Sequence, residues 1–98
     1  MIDGSLCRAA RALIQISRAT LAQASGVAKA DIRAFESKGV DLSAEARAAL
    51  KEALERGGAV FLDEDNMGVG VRLRFTARDS RQLKRLEGEG GIVADNDV

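Results

Sequence analysis

Few side chains in this sequence are suited to catalysis. Its 98 residues include no histidine and a single cysteine, Cys7. Serine and cysteine nucleophiles commonly need a neighbouring histidine base, and the chain has no glycine-rich phosphate loop. The acids Asp63 and Glu64 fall in a turn-forming stretch, so we interpret them as a solvated bend and not as an acid–base pair. The sequence predicts a protein that is not an enzyme and that needs no cofactor or zinc ion.

Cys7 allows two interpretations. A lone thiol serves as a redox sensor when its pKa is lowered, but nothing in the surrounding sequence indicates such a shift. We favour a structural role, in which Cys7 is a small and partly buried side chain. Because it is the only cysteine, no internal disulfide can form.

Basic side chains are concentrated in the first part of the chain. The whole sequence is neutral, with fifteen basic and fifteen acidic residues. Residues 1–38 nevertheless contain six basic and three acidic side chains, whereas the remainder is net acidic. Two of these cations, Lys29 and Arg33, are four residues apart and therefore share one face of any helix that contains them. We expect Arg8 and Arg11, near the N-terminus, to face solvent or to pair with acids.

Apolar spacing predicts four short helices in the first 57 residues. Apolar residues that recur at intervals of three and four indicate a helix over about residues 5–15. Ser17 is a good N-cap for a second helix that ends at Ser25-Gly26, and a third runs over about residues 28–37 and ends before Gly39. The stretch Asp41-Leu42-Ser43 offers a cap for a fourth helix, which ends at Gly57-Gly58.

Gly26 divides what would otherwise be one amphipathic helix, "LAQASGVAKADIRAFE". Glycine in a helix interior costs roughly 0.5–1 kcal/mol relative to alanine. The same residue is favoured where a left-handed conformation ends one helix and redirects the chain into the next. The sequence therefore predicts a helix-turn-helix centred on Gly26, with Leu21, Val27, Ile32 and Phe35 packed in its angle.

Beyond Gly58 the apolar period changes to two. Residues 59–62 and 69–75 read as two strands joined by the acidic loop 63–68, which predicts a hairpin. Residues 79–87 indicate a short charged helix, and 88–98 are rich in glycine and aspartate and carry no positive charge.

These residues together resemble a known family, the Cro/C1-type (XRE-like) helix-turn-helix DNA-binding transcriptional regulators. The resemblance covers about residues 6–54 and is carried by Ser17, Leu21-Ala22, Gly26-Val27, Ile32, Glu36 and Gly39. The later stretch "GGAVFLDEDNMGVGVRLRF" is similar to the C-terminal hairpin of small bacterial regulators of this family. The expected fold is mainly α: a four- to five-helix domain over residues 1–57, a β-hairpin over 58–76, and a charged helix with an acidic tail over 77–98.

The resemblance implies a role for the third helix in the major groove of DNA and for the second helix across the phosphate backbone. Lys29 and Arg33 are candidates to donate to guanine, and an alanine methyl can approach thymine. In the alternative interpretation these cations are only solvated. The candidate base-reading residues are Lys29, Ala30, Asp31, Arg33 and Ala34. The candidate phosphate ligands are Ser17, Arg18, Thr20, Gln23 and Lys38.

Two positions depart from the family pattern. Arg18 stands where glutamine is common after the cap, and it adds a full charge toward a phosphate. Ala28 stands where serine or threonine usually begins the third helix. Alanine has no side-chain oxygen to cap the helix, and such a cap is worth about 1 kcal/mol. If Ala28 is the N-cap, Asp31 is at the third helical position, where its carboxylate favours the positive helix end and is less available to a base.

An isolated two-stranded hairpin is marginally stable in water, so its apolar face must be covered. That face can pack on the fourth helix of the same chain, or two hairpins can join across a twofold axis. We favour the dimer, which would let two third helices read half-sites of a pseudo-palindrome. The candidate dimer contacts are Phe61, Val71, Leu73 and Phe75.

The function expected from these observations is that of a homodimeric, sequence-specific transcriptional regulator acting as a repressor on double-stranded DNA. The alternative keeps the fold and makes it an antitoxin-like or phage-associated protein-binding module, with the acidic tail on a protein partner; the neutral total charge supports it. The sequence has no apolar run of membrane-spanning length and no secretory signal pattern, so we expect a cytoplasmic protein without a membrane partner.

Overall fold

The computed structural model describes residues 2–65 and 67–74. It confirms the mainly helical fold with a hairpin after the helices. The helices are α1 (Gly4–Ile14), α2 (Arg18–Ser25), α3 (Lys29–Lys38) and α4 (Ala44–Arg56), followed by the strands β1 (Ala59–Leu62) and β2 (Gly70–Leu73). The predicted helix over 79–87 and the acidic tail over 88–98 lie outside the described residues.

Side-chain caps begin three of the four helices. The backbone N–H of Leu6 donates to Asp3 Oδ1 (2.8 Å), so α1 starts one residue earlier than its apolar pattern predicts. Ser17 and Ser43 accept in the same way at the starts of α2 and α4. Each cap satisfies a backbone donor that the helix itself leaves without a partner.

The predicted break at Gly26 is confirmed. Gly26 ends α2 with φ 78°, in the left-handed region, and its N–H donates to the carbonyl of Ala22 (2.9 Å). Gly39 ends α3 in the same conformation, with φ 67°. An L-residue in that region costs roughly 1–2 kcal/mol, which explains the glycine between α2 and α3.

One apolar core joins the helices to the hairpin. Leu21, Ile32, Leu50 and Leu54 are fully buried, and Phe35 is nearly so, while Val27 is half-buried against them. The start of α1 packs directly on the backbone of α3. A Cβ added at Gly4 would overlap the carbonyl oxygen of Phe35 and lie 2.9 Å from its carbonyl carbon. Gly4 therefore sets how closely α1 approaches α3.

The hairpin is antiparallel, and its two faces differ. Its register pairs Ala59 with Leu73 and Phe61 with Val71 on one face. Ala59 is buried, and Phe61 and Val71 pack against the core, so this face covers the helices. The pairs Val60–Arg72 and Leu62–Gly70 form the outer face. No helix within the described part of the chain is long and apolar enough to cross a membrane.

Candidate nucleic-acid interface

Helix α3 presents the candidate base-reading residues to solvent. Lys29, Ala30, Asp31 and Arg33 are exposed, and Ala34 is half-buried. Its other side is buried through Ile32, Phe35 and Glu36. The four-residue spacing of Lys29 and Arg33 thus places two cationic donors on one exposed face.

The start of α3 has no side-chain cap. Ala28 is its N-cap residue, in an extended conformation, and makes no capping hydrogen bond. Asp31 lies in the first turn, at the third helical position, and the backbone N–H of Asp31 donates to the carbonyl of Ala28 (3.0 Å). The predicted positions of Ala28 and Asp31 are therefore confirmed. The carboxylate of Asp31 lies beside the positive end of the helix.

The candidate phosphate ligands occupy different environments. The Ser17 hydroxyl donates to Thr20 Oγ1 (3.1 Å) and accepts from the N–H of Thr20 (3.1 Å), and both residues are half-buried. Gln23 and Lys38 are exposed. Arg18 is half-buried, and its Nε donates to Glu36 on α3. Gln23 and Lys38 are thus the candidates most open to an approaching ligand.

A buried carboxylate joins the first three helices. The side chain of Glu36 on α3 has no exposed surface. Arg11 of α1 donates to it twice, from Nε to Oε2 (2.8 Å) and from Nη2 to Oε1 (2.7 Å). Arg18 of α2 donates from Nε to Oε1 (2.9 Å), and the thiol of Cys7 donates to Oε2 (3.2 Å). We call Cys7, Arg11, Arg18 and Glu36 the carboxylate cluster.

The protonation states in the carboxylate cluster follow from burial and pairing. Burial raises the pKa of Glu36, but hydrogen bonds from Arg11, Cys7 and Arg18 outweigh that effect and bring the pKa below its ordinary value. Burial, with the hydrogen bond to Glu36, raises the pKa of Cys7 to about 12. The thiol is therefore protonated at neutral pH and fully buried, the opposite of what a redox sensor needs.

Sequence reasoning missed the role of Glu36. The prediction for Arg11 was that it faces solvent or pairs with an acid, and that acid was not identified. The available signal was periodicity, because Glu36 is four residues after the apolar Ile32 and so shares its buried side. A carboxylate on a buried side needs cationic partners from neighbouring elements.

The residues predicted for dimerisation lie mainly on the inner face of the hairpin. Phe61 and Val71 pack on the core of their own chain, and Leu73 is half-buried opposite Ala59. Phe75 lies outside the described residues. Contacts within one chain therefore already cover the inner face of the hairpin. The large apolar side chains exposed around the hairpin are Leu62 (44%), Val69 (56%) and Met67 (87%).

The described residues contain no group of three histidine, cysteine, aspartate or glutamate side chains placed to hold a metal ion. Comparison with protein-family models gives no match, and comparison with curated proteins gives no significantly similar protein.

Proposed function

We propose that this protein is a sequence-specific DNA-binding transcriptional regulator of the Cro/C1-type helix-turn-helix kind. The observation that carries the proposal is the exposed face of α3, with Lys29 and Arg33 four residues apart, directly after the left-handed turn at Gly26. A helix presented in this way fits the major groove. Occupying an operator, and so excluding polymerase, requires only this surface, and we therefore propose repression.

Charge at the surface of α3 supports DNA as the ligand. Lys29, Arg33 and Lys38 are exposed, against one exposed carboxylate, that of Asp31. The other carboxylate of α3, on Glu36, is buried beneath two arginines. Cations that face a duplex displace its counterions, so the surface of α3 favours binding although the whole chain is neutral.

Within this proposal the side chains divide into two sets. Arg33 is the candidate for bidentate donation to guanine, Lys29 donates as a point charge, and Ala30 or Ala34 contacts a thymine methyl. Ser17, Arg18, Thr20, Gln23 and Lys38 fix the protein on phosphates without reading sequence.

The experiment is a fluorescence-polarisation titration with random and genomic DNA over a salt series. We expect binding that weakens with salt and prefers particular sequences. Arg33→Ala should reduce that preference more than it reduces affinity for random DNA. Arg8→Ala, which removes an exposed cation from α1, is the matched control and should leave the preference unchanged. Negligible binding to every DNA at low salt would refute the proposal and favour the protein-binding module instead.

We further propose that two chains associate through the outer face of the hairpin. Exposed Leu62 and Val69 lie beside the acidic residues 63–65 at the turn, and exposed Arg72 lies toward the open end. A twofold axis that sets two hairpins antiparallel brings the acidic turn of each copy to Arg72 of the other. This face is therefore complementary in charge to a second copy.

Light scattering across a concentration series tests the dimer. The wild type should have the mass of two chains, and Leu62→Asp should shift it to one. Val40→Asp changes an aliphatic side chain of similar exposure (50%) outside the hairpin and should leave the dimer intact. A folded wild type with the mass of one chain at every concentration would rule out this interface.

A further inference from the structure

Arg18 is held in one orientation although it stands at the edge of the protein. It is the first residue of α2, and its side chain is 28% exposed. Its Nε donates to Glu36 Oε1 (2.9 Å) and its Nη2 to Ser37 Oγ (3.4 Å), so two residues of α3 fix the guanidinium. A guanidinium has five N–H donors, and these bonds leave donors on Nη1 and Nη2 for another acceptor.

Glu36 does not need Arg18 for neutralisation. Arg11 already pairs with both of its oxygens in a two-bond arrangement, and the Arg11 side chain is only 16% exposed. With one carboxylate and two guanidinium groups, the carboxylate cluster carries an excess positive charge. That excess lies on Arg18, the more exposed of the two arginines.

The position of Arg18 favours an anion. It begins α2, where backbone N–H groups and the helix dipole give a positive end. It also contacts Ser37, next to the exposed Lys38 at the end of α3. A phosphate at the junction of α2 and α3 would therefore meet a guanidinium whose side-chain freedom is already restricted.

We infer that Glu36 is a positioning residue that holds the guanidinium of Arg18 at the junction of α2 and α3, where Arg18 binds one phosphate of the DNA backbone. This inference rests on the proposed DNA binding. Glu36 itself contacts no DNA, and its contribution passes through Arg18. Fixing the arginine in advance should strengthen binding roughly 3- to 10-fold, because the rotamer entropy is lost on folding and not on binding.

Glu36→Gln separates this inference from simple electrostatics by the sign of its effect. Removing a negative charge near DNA should tighten binding if only net charge matters. If Glu36 positions Arg18, Glu36→Gln should weaken binding roughly 3- to 10-fold. In an Arg18→Gln background, Glu36→Gln should no longer weaken binding, since its effect passes through Arg18. Circular dichroism at the titration temperature verifies that each variant is folded.

The Arg18 variants give a second test that does not depend on the folding of Glu36→Gln. Arg18→Gln should weaken binding to every sequence equally and reduce the salt slope by about one. Arg18→Lys should keep the slope but bind less tightly than the wild type, because lysine is a point charge without the planar fork. Arg8→Gln removes the same charge from an exposed site on α1 and should leave the slope unchanged.

The outcomes distinguish the inference from the function on which it rests. A wild type that binds no DNA refutes the proposed function, and the inference with it. Wild-type binding with an unchanged salt slope in Arg18→Gln, or equal affinity in Arg18→Lys and the wild type, refutes the inference alone. Tighter binding by folded Glu36→Gln refutes it as well.

Discussion

Replacing Arg11 with methionine tests how much the carboxylate cluster contributes to stability. Methionine keeps most of the aliphatic volume of arginine but removes both hydrogen bonds to Glu36 and a third, from Nη1 to the carbonyl of Ile16 (3.1 Å). Glu36 keeps only Arg18 and Cys7 as partners. The variant therefore leaves a buried carboxylate only partly compensated.

The magnitude follows from the burial of the two partners. Removing one partner of a buried ion pair costs about 3–5 kcal/mol. Arg18 still pairs with Glu36, and the Arg11 side chain is 16% exposed, which reduces the loss. We expect the free energy of unfolding to fall by about 2–4 kcal/mol, a large part of the stability of a small domain.

Urea denaturation followed by far-UV circular dichroism measures this loss, because the chain has no tryptophan or tyrosine to report by fluorescence. The midpoint should fall by about 1–2 M. Arg8→Met removes an exposed arginine from the same helix and should change the free energy of unfolding by less than about 0.5 kcal/mol. Equal, small effects of both substitutions would show that the cluster is not a stabilising contact.

Three further predictions concern α3 and its contacts. Ala28→Ser supplies the missing cap and should raise the free energy of unfolding by about 1 kcal/mol in the same urea assay. Gly4→Ala places a methyl against the carbonyl of Phe35 and should lower the free energy of unfolding by about 1–3 kcal/mol. The pKa of Glu36 is below its ordinary value of 4.5, so its pairing stabilises the protein fully above that pH, and this stabilisation is lost progressively as the pH falls through the lowered pKa. The difference in urea midpoint between the wild type and Arg11→Met should therefore become smaller as the pH falls. A difference that stays constant with pH would show that it does not come from pairing of ionised Glu36 with Arg11.

Local signals in the sequence were sufficient to predict the elements of the fold. Ser17, Ser43, Gly26 and Gly39 act within one or two turns of their own position, so their residue types indicate where helices begin and end. The predicted limits of the four helices agree with the structure to about one residue. Asp3 was overlooked because it precedes the apolar pattern of α1.

Contacts between distant residues could not be predicted in the same way. Glu36 meets Arg11 and Arg18 across 25 and 18 residues of sequence, and only packing of three helices brings them together. The face of the hairpin was similarly ambiguous. Alternation shows that Phe61 and Val71 share one side, but it does not say whether that side meets its own helices or another chain.

The arrangement of α3 has a consequence for how such a protein can change over evolutionary time. Lys29, Ala30 and Arg33 are exposed, whereas Ile32, Phe35 and Glu36 are buried and connect α3 to the rest of the protein. Substitutions at the first set can accumulate with little loss of stability, since the two sets do not overlap. For the function proposed above, this separation would let new DNA sequences be recognised one base contact at a time, without compensating changes in the interior.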